Sequence, residues 1–182
     1  MAPNNASVTR VETAVQKHAP DVLAYFARRV EPGHDAADLL AETLLTVWRR
    51  AASLPIDDGE VRPWMFGIAR RVLMHHYRSA TRQRALADRL RSILSVTPHP
   101  GLTDDTEYYD LRRAVASLDP LDRDVIGLVH WEGFSLVEAS RILKMKESTV
   151  RSRYHRAKAN LRGQLTPDSA PLAREPARLP AR

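Results

Sequence analysis

FSLVEASRILKMKESTVRSRYHRAKANL, residues 134–161, reads as two helices joined by a short turn, the second studded with cations. Ser135 followed three residues later by Glu138 is a capping box, each side chain satisfying an orphan amide at a helix start. Val137, Ala139, Ile142 and Leu143 then give one apolar face. The turn falls near Lys144–Lys146, and a second helix begins around Glu147, whose charge suits the positive end of a helix dipole. In that helix Val150, Tyr154, Ala157 and Leu161 make one apolar stripe. Glu147, Ser148, Arg151, Ser152 and His155 lie opposite. From Arg141 to Arg162 there are eight basic residues against one acid, Glu147. A helix half apolar, half cationic or hydrogen-bonding suits a DNA major groove, with base edges near its N-terminus and phosphates around it. The plainer alternative is a solvated basic helix on an ordinary helical domain.

The whole chain bounds that choice. It has 182 residues, a net charge of +6 and 43% hydrophobic residues, but only 6% aromatics. That supports one domain or two small ones with a lean core. The isoelectric point of about 10.0 favours a polyanionic partner. With no cysteine, thiolate metal sites, disulfides and thiol catalysis are excluded. No apolar run is long enough to span a membrane and no signal-peptide pattern opens the chain, so a cytoplasmic protein without membrane insertion is expected. Helical periodicity runs almost throughout, and the fold class is all-α.

Residues 1–8 are small and polar and are expected to fray. Val11, Val15, Val22, Phe26 and Val30 mark one or two helices, broken or bent near Pro20, before a turn at Glu31-Pro32-Gly33. In DAADLLAETLLTVWRR, residues 35–50, Leu40, Leu44, Val47 and Trp48 share one face, and Asp38 and Glu42 step by four. Glu31, Asp35, Asp38 and Glu42 form an acidic ridge with no Lys or Arg among them. It reads equally as a docking surface for a basic protein and as a solvated face near a helix start. Residues 54–60 are a loop by composition, and Pro63 suits a first helical position. Trp64, Ile68, Val72 and His75 then point inward. Between Arg62 and Arg91 eight arginines meet one acid, Asp88, with Trp64, His75, His76 and Tyr77 interleaved. Aromatics amid arginines suit stacking on unpaired bases, although Trp64 also reads as core. SVTPHPGLTDD, residues 95–105, reads as a linker. Beyond it Leu111, Val115 and Leu118 open a second helical unit, Asp119-Pro120 is an N-cap with proline at the first helical position, and Gly133 is a C-terminal stop. The expected organisation is two small helical domains, 8–95 and 105–163, joined by a flexible linker at 96–104, with a disordered Pro-, Ala- and Arg-rich tail at 164–182.

With these parts in order, residues 10–163 resemble an extracytoplasmic-function (group 4, sigma-70 family) RNA polymerase sigma factor. DAADLLAETLLTVWRRA is similar to that family's core-polymerase-binding helix, RPWMFGIARRVLMHHYR to its promoter −10 helix, and residues 118–162 to its −35 helix-turn-helix domain. The resemblance implies a promoter-specificity subunit, not an enzyme, that binds core polymerase through the β′ coiled coil and β flap, recognises the −35 and −10 elements and helps melt the latter. An anti-sigma factor is an implied partner, and no cofactor or metal is implied. Asp38, Leu39, Glu42 and Leu45 fall on the docking helix. Asp57, Asp58, Gly59 and Val61 fall in or beside the loop that receives an extruded −10 base. Arg62, Trp64, Arg70, Arg71, His75 and Arg78 fall on the helix that holds the melted strand. Glu147, Ser148, Thr149, Arg151, Ser152, His155, Arg156 and Lys158 fall on the helix that enters the −35 major groove.

The chain also departs from the family pattern. Arg71 replaces the usual asparagine of the −10 helix, His75 a frequent aspartate, and Ala41 a glutamine of the docking helix. Lys144 stands at the turn glycine and Lys146 at the usual cap. A left-handed lysine costs of order 1 kcal/mol, so a different turn geometry is expected there. Three other readings compete. A sigma-like decoy that binds only an anti-sigma factor leaves the basic helix without a role. A plain helix-turn-helix repressor leaves the acidic ridge unexplained. A nuclease using His75 and His76 needs one metal shared by adjacent helical residues, which point about 100° apart.

Overall fold

Apolar residues at spacings of three and four wind the chain into helices throughout. The computed structural model describes residues 5–30, 33–94 and 109–165, which form seven α-helices and one short 3-10 turn, with no strand among them. They are α1 (Asn5–Ala27), α2 (Gly33–Arg49), α3 (Asp58–Leu94), α4 (Tyr109–Ser117), α5 (Pro120–His130), α6 (Leu136–Leu143) and α7 (Glu147–Leu165). The expected linker at 96–104 lies outside the described residues.

Several expected boundaries shift, each for a local reason. α1 starts at Asn5, inside the segment expected to fray, and runs through Pro20 as one helix. α3 begins at Asp58, one turn before Pro63. Asp57 accepts a hydrogen bond from the Gly59 amide at 2.9 Å, and Asp58 and Glu60 place negative charge in the first turn. Pro63 therefore sits inside the helix, where it forfeits only the bond that Gly59's carbonyl would accept. α7 reaches Leu165 because Gln164, placed by composition in the tail, bonds the Ser117 hydroxyl at the end of α4 at 3.0 Å.

Two larger apolar clusters hold the molecule. One joins Val11 and Ala14 of α1 to Val47, Leu54, Val61, Met65 and Ile68. The other draws on both ends of the sequence: Val22, Phe26, Phe66 and Leu73 pack with Leu128, Phe134, Ile142 and Val150. At its centre Phe66 meets Tyr25 edge-on at 5.4 Å and Phe134 edge-on at 4.8 Å. A third, small cluster of Leu118, Ile126 and Ala157 seats α7 on α4 and α5. The N-terminal and C-terminal helices thus share core, and α6 lies along α3.

Candidate nucleic-acid interface

The turn between α6 and α7 is built from its ends. Glu138 Oε2 accepts from the Ser135 amide at 2.8 Å, and Ser135 Oγ accepts from the Glu138 amide at 3.2 Å. This completes the capping box. At the other end Lys144 is left-handed, with φ 55° and ψ 45°. The expectation of another geometry is overturned: the Lys144 amide bonds the Arg141 carbonyl at 3.2 Å and the Met145 amide the Ser140 carbonyl at 2.9 Å, closing α6 as a glycine would. Burial of Ile142, Leu143 and Val150 on either side outweighs the local cost. Lys144→Gly should therefore raise the unfolding free energy by about 1 kcal/mol in urea titrations.

α7 buries Val150 and Ala157 completely and Tyr154 and Leu161 in part, so its other face is exposed. Glu147, Ser148, Thr149, Arg151, Ser152 and His155 all stand on that face. Arg151 pairs with Glu147 one turn earlier, and Ser152 donates to the Ser148 carbonyl at 3.0 Å. Two residues expected on the reading face are engaged elsewhere. Arg156 grips Asp122 of α5 with Nε and Nη2, at 3.1 and 2.9 Å from Oδ2, and Arg153 reaches the same carboxylate at 2.6 Å. Asp122 is buried, so Arg156, itself exposed, ties α7 to α5. Lys158 lies over the Tyr154 ring, 5.2 Å from its centroid, beside an apolar cavity lined by Ile126, His130 and Leu161. The His130 Nε2 and Tyr154 hydroxyl are 3.2 Å apart.

The arginines of α3 divide into two groups. Arg71 and Arg78 are exposed, Arg71 donating to the Gly67 carbonyl at 2.9 Å. Partial burial, reinforced by Arg50, makes the Arg71 guanidinium less basic than usual. Arg62 and Arg70 are committed to protein. Arg70 donates through Nε and Nη2 to Asp124 of α5, at 3.0 and 2.8 Å. Arg62 bonds Asp21 at 3.0 Å and the Glu132 carbonyl at 2.9 Å, and its guanidinium lies 4.3 Å from the Phe134 ring centroid. His75, expected inward, is exposed. His76, one residue on, is the partly covered histidine, with Nε2 3.9 Å from Asp35. The Tyr77 hydroxyl donates to the Arg29 carbonyl at 2.7 Å, and Trp64 packs in part against the Val11–Met65 cluster.

Beside the start of α3 a cavity is lined by Arg10, Lys17, His18, Asp58 and Val61. Arg10 holds the adjoining loop by donating to the Pro55 carbonyl at 2.6 Å. Asp57, Asp58 and Gly59 are exposed, and Ile56 stands almost wholly in solvent. Val61 is core and supplies only part of the cavity wall. Burial, with Lys17 and Arg62 nearby, keeps the His18 imidazole neutral to lower pH than usual.

On α2 the ridge is sharper than its spacing alone implies. Asp38, Glu42 and Leu45 are exposed along one face, with Leu45 at 56%. Leu39, expected among the docking residues, is 5% exposed and belongs to the core. Trp48, expected inward, is 38% exposed beyond Leu45. Three acids that organise the C-terminal half, Asp122, Asp124 and Glu132, belong to no motif read from the sequence. The available signal was Asp122 itself, an acid at an inward position of the α5 period between Leu118 and Val125.

Comparison with known proteins fits this geometry. The family models for Sigma-70 region 2 and Sigma-70 region 4 match residues 14–83 and 108–161. The ECF RNA polymerase sigma factor SigF of Caulobacter vibrioides is 32% identical over 144 residues, covering 74% of this chain and 73% of its own. The chain belongs to the ECF sigma factors. SigE of Mycolicibacterium smegmatis, of the same description, is 30% identical over 174 residues, covering 93% of this chain and 67% of that protein. The fold is similar to that of the Bartonella quintana sigma factor RpoE, solved with the anti-sigma factor NepR (TM-score 0.66, 23% identity, 86% of this chain and 97% of that one). It is also similar to CnrH solved with the cytosolic domain of CnrY (TM-score 0.58, 24% identity, 87% and 89%). As an ECF sigma factor this protein is a promoter-recognition subunit of RNA polymerase, a regulatory part of transcription initiation. Among the described residues, no helix is long and apolar enough to cross a membrane.

Proposed function

We propose that this sigma factor binds core polymerase through Asp38, Glu42 and Leu45, reads the −35 duplex with the exposed face of α7, and holds an opened −10 strand along α3. The observation that carries the reading is the α7 face itself. Ser148, Thr149, Arg151, Ser152 and His155 stand exposed, opposite the buried Val150 and Ala157. Phosphate contacts by the flanking cations set register, and side chains at the start of α7 discriminate bases. Opening the −10 segment costs a few kcal/mol per unstacked base. An extruded base seated beside Asp57, Asp58 and Gly59, with Arg71 and Arg78 along the strand, offsets that cost. The chain acts in the cytoplasm, makes and breaks no bond, and leaves the chemistry to the polymerase. The β′ coiled coil and the β flap are the expected sites on the core enzyme. The similar sigma factor RpoE of Bartonella quintana is bound to an anti-sigma factor, which supports an anti-sigma partner here too.

Run-off transcription tests the whole reading. The purified chain is added to sigma-free core polymerase with fragments of its own genome. Discrete new starts deliver the −35 and −10 motifs together; sequence-specific duplex binding without starts makes the protein a repressor instead. Arg151→Ala should weaken binding to a −35 duplex by about 1–3 kcal/mol, and mostly on the preferred sequence. An equal loss on every duplex reduces Arg151 to a phosphate contact. Glu42→Lys should weaken binding to core polymerase in a pull-down while leaving −35 affinity unchanged. Wild-type affinity for polymerase removes the ridge from docking.

A further inference from the structure

The loop before α3 carries a side chain whose place the packing of the core does not explain. Ile56 is 92% exposed, the most open large apolar residue among those described. A lone exposed apolar residue is ordinary on a protein surface. This one is held in place from another helix. Arg10 of α1, 45 and 46 positions away, donates through Nη2 to the Pro55 carbonyl at 2.6 Å and to the Ile56 carbonyl at 3.3 Å. Those carbonyls belong to the two peptide groups on either side of the Ile56 Cα. Peptide groups are planar, so fixing both planes fixes the two dihedrals between them. The direction of the Ile56 side chain is fixed with them.

The neighbouring residues leave Ile56 alone at the tip of the loop. Asp57 turns back onto the helix start, its Oδ1 accepting from the Gly59 amide at 2.9 Å. Leu54 is buried, and Pro55 has no amide with which to anchor the loop. Behind the loop lies the cavity lined by Ala14, Leu54 and Val61, with Lys17 and His18 in its wall. Apolar surface gains by leaving water, so an unrestrained Ile56 would fold toward Ala14 and Leu54. The Arg10 bonds oppose that collapse.

We propose that Arg10 is a positioning residue for −10 recognition: by clamping both sides of Ile56 it holds that side chain out as the apolar surface on which the extruded base lies. The inference rests on the reading of residues 56–61 as the receiver of that base. It adds a contact residue, Ile56, and a residue of α1 that acts through it. An aliphatic side chain set against an unstacked base replaces part of the contact the base loses on leaving the stack. Arg10 is committed to backbone carbonyls, so its part is the shape of the loop.

An abasic strand tests this directly. Single strands of random sequence are selected on the full chain bound to core polymerase, and an abasic residue is then walked through the best-bound strand. The position whose base contributes most affinity marks the extruded base. There the ratio of affinities, base over abasic, should fall about tenfold in Ile56→Ala and by a similar factor in Arg10→Ala. The double variant should fall no further than Ile56→Ala alone. Arg10 and Ile56 are both exposed, so helical circular dichroism should be unchanged. A lost phosphate contact lowers affinity equally with and without the base and leaves the ratio as it was. A ratio lost in Ile56→Ala but kept in Arg10→Ala overturns the clamp and leaves the loop as the receiver. Losses that add in the double variant give Arg10 a contact of its own with DNA and overturn the positioning role. A ratio untouched in Ile56→Ala overturns the proposal. If that ratio also survives Asp58→Ala, the loop does not receive the base and the underlying reading falls with it.

Discussion

Phe66→Ala is expected to lower the unfolding free energy by about 4 kcal/mol, a loss that would leave an ordinary domain of this size barely folded. Phe66 is fully buried and its ring is shared: Tyr25 lies edge-on to one side and Phe134 to the other. Truncation removes both aromatic contacts and opens a cavity that helices α1, α3 and α6 cannot all close, because each is also tied elsewhere. Phe66→Leu keeps most of the volume and should cost about half as much. Phe134→Ala separates the two roles of this cluster. It strips the C-terminal side only, so it should loosen the contact between the halves more than it destabilises α1 and α3. Urea unfolding followed by circular dichroism checks the order. A loss under about 1 kcal/mol for Phe66→Ala would mean that the ring is not the centre of the core.

What the sequence made legible was local. The Ser135–Glu138 box, the Asp119-Pro120 start and the Gly133 stop each depend on residues within four positions of one another, and all three form. The α7 stripe was legible because a helix repeats its face every three or four residues. Lys144 was the local rule that failed: a modest backbone cost lost to apolar burial on both sides of the turn. The same competition moved Leu39 and Val61 from surface roles into the core, since spacing says which residues share a face but not where burial stops. The division of the arginines was not legible. By composition α3 is one basic run, yet Arg70 faces Asp124 while Arg71 faces solvent, and only contacts between distant segments decide that. The acidic ridge of α2 gained from structure in the opposite sense. Exposed Leu45 and Trp48 add apolar area to Asp38 and Glu42, which makes the ridge more like a protein-binding surface than its charge alone implied.

Asp122→Ala should have the largest effect of any polar substitution, about 3 kcal/mol of stability, because it removes the one buried carboxylate that two guanidiniums share and leaves the more covered of them, Arg153, without it. The Asp122 side chain is 6% exposed and serves both Arg153 and Arg156 of α7. Its hydrogen bond also makes Arg153 more basic than a free arginine. Arg156 is well exposed and recovers its hydration once released, which keeps the expected loss at the lower end of the range for a broken buried pair. Arg156→Ala alone should therefore cost about 1 kcal/mol or less. Asp119 does not substitute for Asp122. Its carboxyl is held below the usual range chiefly by the Leu121 amide, so its contribution is intact at neutral pH and fades only as pH falls through that lowered value. The functional consequence separates seating from reading. Asp122→Ala frees the angle of α7 on α5, so −35 affinity should fall together with stability and by a similar proportion on every duplex. Arg151→Ala should lower affinity on the preferred duplex with stability unchanged. If Asp122→Ala left −35 affinity intact while stability fell, Val150 and Ala157 alone would be seating the recognition helix. The ion pairs beneath it would then serve the fold and not the recognition of DNA.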